Sequence, residues 1–209
     1  GEATANPAEL AVRYHPPLFL APTQLHADGG EQAAVLAAAA AGLAVYSPHT
    51  ALDAAPSGLC DWLVEQLLAG QAPKEVRPCG EGEFGRVAVL AKPLPLATLL
   101  QRCKQRFGVR TLQVAKPAGA GSRVRSFAVA AGAGGSVLRG ADADLLVTGE
   151  MSHHDALAAV AAGRTVVLAG HSNTERCYLP TLRKRLRAAF GRDLDVVVAK
   201  ADRDPFAVV

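Results

Sequence analysis

His171 and Glu175 stand four residues apart in AGHSNTERCYLPTLRKRL (169–186), directly after a run of strand formers, Thr165 to Leu168. An imidazole and a carboxylate where a strand hands over to a helix are either metal ligands or a capped helix start. Three other groups repeat the arrangement. His15 ends a strand in YHPPLF, and His49 follows one in YSPHTALD with Asp53 four residues on. His153 and His154 follow a strand in VTGEMSHHD, beside Glu150 and Asp155. In an α/β sheet, ligands gather outside the carboxyl ends of the strands, so such turns can converge on one point. Imidazole plus carboxylate suits Zn, Fe, Mn or Ni better than Ca.

Each group also has a purely structural explanation. Ser172, three residues before Glu175, makes SNTE a capping box that accounts for a helix start by itself. His49 can donate to a carbonyl in a turn, Asp53 can cap the segment before Pro56, and a lone histidine at a strand end is more often satisfied structurally than a ligand. It is the repetition at equivalent positions that favours a shared metal site.

The elements that must position these residues alternate along the chain. AELAVRY (8–14) reads as a strand stopped by prolines, an alanine-rich helix runs from Glu31 to Ala41, and LAVYS (43–47) is a strand ended by Pro48. Ser57 is expected to cap a helix carrying Leu59, Trp62, Leu63 and Leu67 and closed by Gly70. QAPKEVRPCGEGEFG (71–85), rich in Pro, Gly and charge, reads as a linker or long loop. There follow a strand RVAVL, a helix from about Leu96 to Phe107, a strand VRTLQVA, a loop KPAGAGS, and strands VRSFAVA and ADLLVTGE. A helix from His153 to Gly163, a strand TVVLA, a helix to Phe190 and a last strand DLDVVVA complete the chain.

Strands alternating with helices predict an α/β protein around a mostly parallel or mixed sheet. Residues 1–70 are expected to form the N-terminal part of the core, 71–125 a central segment, and 126–209 the C-terminal part. The glycines of AAGAGGSV lack the GK[ST] of a phosphate loop and do not fit GxGxxG, so a tight strand-to-helix connection is expected there. DRDP (202–205) reads as a salt-bridged turn, and Arg176 as an exposed arginine at a helix start.

The chain has 209 residues, half of them hydrophobic, enough for one sizeable core or two small ones. A net charge of +3 is too small for a phosphate-backbone binder, so direct nucleic-acid binding is not expected. Arg183, Lys184, Arg185, Arg187 and Arg192 interleave with Leu182, Leu186 and Phe190, the pattern of a solvated helix face. The cysteines Cys60, Cys79, Cys103 and Cys177 show no zinc-ribbon or disulfide spacing, which predicts a reducing compartment. No apolar run approaches the roughly 18 residues of a membrane span. The start, GEATANPAEL, lacks signal-peptide features and does not begin with Met, as expected of a soluble intracellular chain that is a fragment or a processed form.

YHPPLF, VYSPHTALDAAPSGLCDWL, ADLLVTGEMSHHDAL, HSNTERCYL and the C-terminal DRDP with its closing VV together resemble the Nif-three-like family, whose members are often labelled GTP cyclohydrolase I type 2 homologues. The motifs span Tyr14 to Val209 in order, and the animal-type members are the nearest pattern. The resemblance implies an α/β fold with one or two divalent transition metals (Zn, Fe, Mn, Ni or Co) in a central cleft. It implies subunits that assemble as dimers or hexameric rings. By motif, the metal ligands fall on His15, Asp53, His171 and Glu175, with His49, Glu150 and His154 lining the cleft as supporting or proton-transfer groups. Two departures stand out. Tyr14 takes the place where many members carry a second histidine, which removes one imidazole. The N-terminal strand-helix segment and most of a middle insertion near 71–85 are absent from the pattern, which predicts an open sheet edge.

Three functions follow from the resemblance. A metal-dependent hydrolase would act on a nucleotide or phosphoester through an acidified bound water. A co-regulator would bind transcriptional regulator proteins in the cytoplasm and nucleus, with a structural or vestigial metal. A metal-handling protein would bind the ion without turnover. No membrane association is expected.

Overall fold

The computed structural model describes residues 8–191 and 194–206, in two compact units. The first unit, described over residues 8–51 with Ala199–Asp202, is small. Strands β1 (Leu10–Val12) and β2 (Ala44–Tyr46) pair in parallel with Leu10 opposite Ala44, and helix α1 (Gly30–Ala40) joins them. Alanine carries α1 by helix propensity, because only Ala38 of the helix is buried. Gly42, at φ +66, turns the chain out of it as the sequence predicts. Helix α2 (Thr50–Ala54) follows and crosses the boundary between the units.

The second unit, from Leu52, holds a six-stranded sheet in the order β3-β4-β6-β7-β8-β5. Its strands are β3 (Pro73–Cys79), β4 (Gly85–Pro95), β5 (Gln113–Ala115), β6 (Arg123–Val129), β7 (Leu145–Thr148) and β8 (Thr165–Leu168). β6, β7 and β8 run parallel in the middle, while β3, β4 and β5 are antiparallel to their neighbours. The expected α/β class with a mixed sheet is the one observed. Every residue of β7, Leu-Leu-Val-Thr, is buried, as a parallel strand covered on both faces requires.

Helices α3 (Leu59–Leu68) and α4 (Leu96–Phe107) pack on each other and on β4. Leu59, Leu63 and Leu67 form one stripe of α3 and Leu99 lies on α4, all at most 2% exposed. Truncating such a leucine to alanine costs about 2–5 kcal/mol, so these few positions hold much of the unit's stability. α4 matches its predicted span and ends at Gly108, φ +68.

Several expectations are corrected. Ser57 does not cap α3: Gly58 is the N-cap, Ser57 sits at φ +57, and its N–H donates to Asp61 Oδ2 at 2.7 Å. Segment 71–85 is no linker but strand β3 and a 3₁₀ turn, Glu81–Glu83, folded back as a hairpin on β4. Its Pro73, Pro78, Lys74, Glu75 and Arg77 are what an edge strand carries against stray pairing. After β6 the glycines of 132–135 lead through turns to β7, with no helix between. The last helix is two, α6 (His171–Arg176) and α7 (Leu179–Phe190), because Pro180 has no N–H and opens a new first turn. Residues 194–199 of the expected final strand form none, and Leu194 and Val197 stay exposed, while Asp193 lies outside the described residues. In DRDP, Asp204 accepts from the N–H of Phe206 at 2.8 Å, a side-chain-closed turn. The closing Val208 and Val209 and Arg192 of the basic helix also lie outside the described residues.

On α7, Lys184, Arg185 and Arg187 face solvent as expected. Phe190 departs from its helical stripe and is 66% exposed. All four cysteines are free. Burial pushes the thiols of Cys103 and Cys177 up to about 12 and that of Cys60 still higher, which makes them poor nucleophiles. Among the described residues, no helix is long and apolar enough to cross a membrane.

Candidate metal centre

The parallel strands deliver three backbone turns to one place. Gly132 follows β6, Gly149 and Glu150 follow β7, and Gly170 and His171 follow β8. Hydrogen bonds sew the turns together: the Glu150 N–H donates to Gly132 O at 3.0 Å and the Gly170 N–H to Gly149 O at 2.9 Å. Two buried threonines complete the seam. Thr148 Oγ1 donates to Gly132 O at 3.1 Å and accepts from the Gly134 N–H at 3.0 Å. Thr174 Oγ1 accepts from the Gly132 N–H and donates to His171 O, both at 2.8 Å.

His171 is the first residue of α6 and lies between two carboxylates. Its Nδ1 is 2.7 Å from Glu150 Oε1 and its Nε2 is 2.9 Å from Glu175 Oε1. The hydrogen bond to Glu175, with Glu150 adding to it against partial burial, pushes the imidazole pKa up to about 9. The expected capping box does not form. Gly170 is the N-cap of α6, no side chain caps it, and Ser172 lies inside the helix. Glu175, buried, meets His171 instead.

Gly132 is what makes the pair a cradle. At φ +57, a Cβ there would collide with Glu175 Oε1 and come within 2.9 Å of His171 Nε2. Both donor atoms therefore face a space that only a glycine backbone leaves open. The donor set fits a transition metal: a nitrogen from a neutral imidazole, a carboxylate oxygen, and a second carboxylate that fixes the ring through its other nitrogen. Glu150 is the carboxylate in that third position.

The other expected site residues lie as follows. Asp53 is 4% exposed on α2, and the Cys60 thiol reaches its Oδ1 at 3.8 Å. In the first unit, His15 and His49 are half-buried with ring centroids 5.6 Å apart, and Tyr14 packs edge-on against both. His49 sits at φ +46, held by its N–H donating to Tyr14 O at 3.0 Å. His154 is not drawn to His171. It stands exposed on helix α5 (His153–Ala161), its ring 5.9 Å from that of His153. Gly132, Thr148 and Thr174 did not emerge from sequence. The glycine run was visible, but it signals a turn rather than a floor for donors.

The fold and the strand-end histidine–carboxylate cradle define an α/β protein with a built donor set at the carboxyl ends of its parallel strands. The chain belongs to the Duf34/NIF3 (NGG1p interacting factor 3) family, whose model matches residues 1–205. It is 40% identical to "Protein NIF3 homolog" of Schizosaccharomyces pombe, over 95% of this chain and 76% of that one. It is 35% identical to "NGG1-interacting factor 3" of Saccharomyces cerevisiae, over 99% and 76%. Among solved structures, a Bacillus cereus protein related to NIF3 superposes with a TM-score of 0.76 at 18% identity, covering all of this chain and 85% of that one. Reduced HcgD from Methanocaldococcus jannaschii gives 0.74 at 22%, covering 90% and 73%. At these identities the solved structures speak to the fold alone.

Proposed function

We propose that the protein binds a divalent transition metal at His171 Nε2 and Glu175 Oε1 and acts as a metal-dependent hydrolase of a nucleotide or phosphoester. One observation carries it: two donor atoms 2.9 Å apart face the Cβ-free backbone of Gly132, with His171 Nδ1 held by Glu150. His15 and Asp53 complete the donor set on the strength of the motifs that carry them. Zn, Fe, Mn, Ni and Co all accept this set, at one or two ions per chain. When bound, the metal supplies a Lewis acid that brings a coordinated water towards neutral pKa. Glu150 keeps the proton of His171 on Nδ1, which leaves Nε2 as the ligand atom. Of the groups the motifs suggest for proton transfer, His49 and Glu150 are retained in this reading, and His154, exposed on α5, is not.

The name of the Saccharomyces cerevisiae relative favours a second reading, in which the protein is a co-regulator that binds a transcription-regulating partner and keeps its metal for structure. Cytoplasmic and nuclear residence and a homo-oligomeric assembly are proposals of the same standing.

The deciding test is metal content by plasma mass spectrometry on tag-free protein, wild type against His171→Ala. About one or two ions per chain, lost in the variant, justify a screen of nucleotides and phosphoesters. Full metal content in His171→Ala overturns the site.

A further inference from the structure

We infer that Arg86 is a positioning residue for the Asp53 carboxylate, an inference that rests on Asp53 being a metal donor as proposed above. Arg86 is the second residue of β4, opposite Val129 of β6, and only 6% exposed. A buried guanidinium needs every donor met, and aliphatic side chains fill such positions at less cost. What Arg86 adds is geometry. Its Nε donates to Asp61 Oδ1 at 2.5 Å, its Nη1 to Glu83 O at 2.7 Å and Gly85 O at 3.0 Å, and its Nη2 to Ala54 O at 2.9 Å.

Ala54 is the residue after Asp53 and the last of α2. The turn that follows is tight: Ser57 is at φ +57, and the space of a Cβ on Gly58 is filled by the carbonyls of Leu52 and Ala55. Asp61 holds that turn from the other side, its Oδ2 accepting from the Ser57 N–H at 2.7 Å. A second tie runs beside the first. The Cys60 thiol, fully buried, lies 3.1 Å from Phe84 O and 3.8 Å from Asp53 Oδ1. Arg86 and Cys60 thus join the same two segments, 53–54 and 83–84, one through the backbone and one through the carboxylate itself. Together the two ties fix the end of α2 and one oxygen of the Asp53 carboxylate to the β4 side of the unit.

The test is cobalt(II) titration of the full chain after chelator treatment, followed by visible absorption, alongside urea unfolding. Arg86→Met should weaken cobalt binding about 10- to 100-fold, the usual cost of losing a group that orients a ligand. It should also change the absorption bands in the sense that Asp53→Asn does. Arg86→Lys should recover part of the affinity. If Arg86→Met does not fold, Asp61→Asn and Cys60→Ser carry the test with smaller effects in the same direction. A lowered urea midpoint with unchanged cobalt affinity and bands overturns the inference, because Arg86 would then only stabilise the fold. If Asp53→Asn itself binds cobalt like wild type, the donor role of Asp53 fails and the inference falls with it, a result separable from the first.

Discussion

Two strand-to-helix handovers in the second unit begin from almost the same sequence pattern and end differently. SHHD at 152–155 and SNTE at 172–175 both offer a serine three residues before a carboxylate, next to histidine. At the first, Ser152 is the N-cap of α5: its Oγ accepts from the Asp155 N–H at 3.1 Å and donates to Asp155 Oδ2 at 2.7 Å. Its histidines stand in solvent. At the second, the cap is Gly170, the serine has moved into the helix, and the acid pairs with the histidine. Where side chains cap a helix they are consumed in doing so, and where a glycine takes the cap they stay available as ligands.

The sharpest way to break this contrast is Gly132→Ala. The added methyl occupies the space faced by His171 and Glu175, and the residue must keep a left-handed φ. Metal binding should vanish in a calorimetric titration, and urea denaturation should show a stability loss of about 1–3 kcal/mol.

Next is Glu150→Gln, expected to weaken metal affinity about 10- to 100-fold in the same titration. The pH response of the metal-free protein belongs with it. His171 titrates near 9 in the folded chain against an ordinary value of 6.5. Its ion pairs therefore stabilise the metal-free fold fully below about pH 6.5, and that contribution fades as pH rises through about 9. The urea midpoint should fall across that window in wild type and fall less in Glu150→Gln. Metal must displace the same proton, so apparent affinity should drop as pH is lowered below 9.

The smallest effects test the caps directly. Ser152→Ala should cost about 1 kcal/mol in thermal or urea unfolding. Ser172→Ala should stay within about 0.5 kcal/mol, since that hydroxyl caps nothing. Equal losses would mean that the two helix starts are not different after all.

Much of the fold was legible because hydrophobic period is a strong signal: α4 kept its span and the buried strands β6, β7 and β8 lay where Val, Leu and Phe cluster. β3 was not legible, since proline and charge mark a loop and an edge strand alike, and only the partner strand separates them. The pair His171–Glu175 could be nominated as candidate donors from residue type and spacing. The floor beneath it could not, because Gly132 acts through its backbone and its missing side chain, and neither marks a glycine run as more than a turn. The swap of caps between Ser152 and Ser172 also needed coordinates, as both satisfy the same local rule.

The ladder that builds the site has a consequence for assembly of the chain. β6, β7 and β8 are consecutive in sequence and adjacent in the sheet, whereas β5 must wait for β8 to arrive from beyond two other strands. Loop closure costs entropy that grows with length, so the three strands that present Gly132, Glu150 and His171, each followed directly by the next, can pair without waiting for β5. The donors of this cradle would then be among the first distant groups to meet as the polypeptide collapses, and a free metal ion in solution would find a binding surface before the sheet has acquired its last edge.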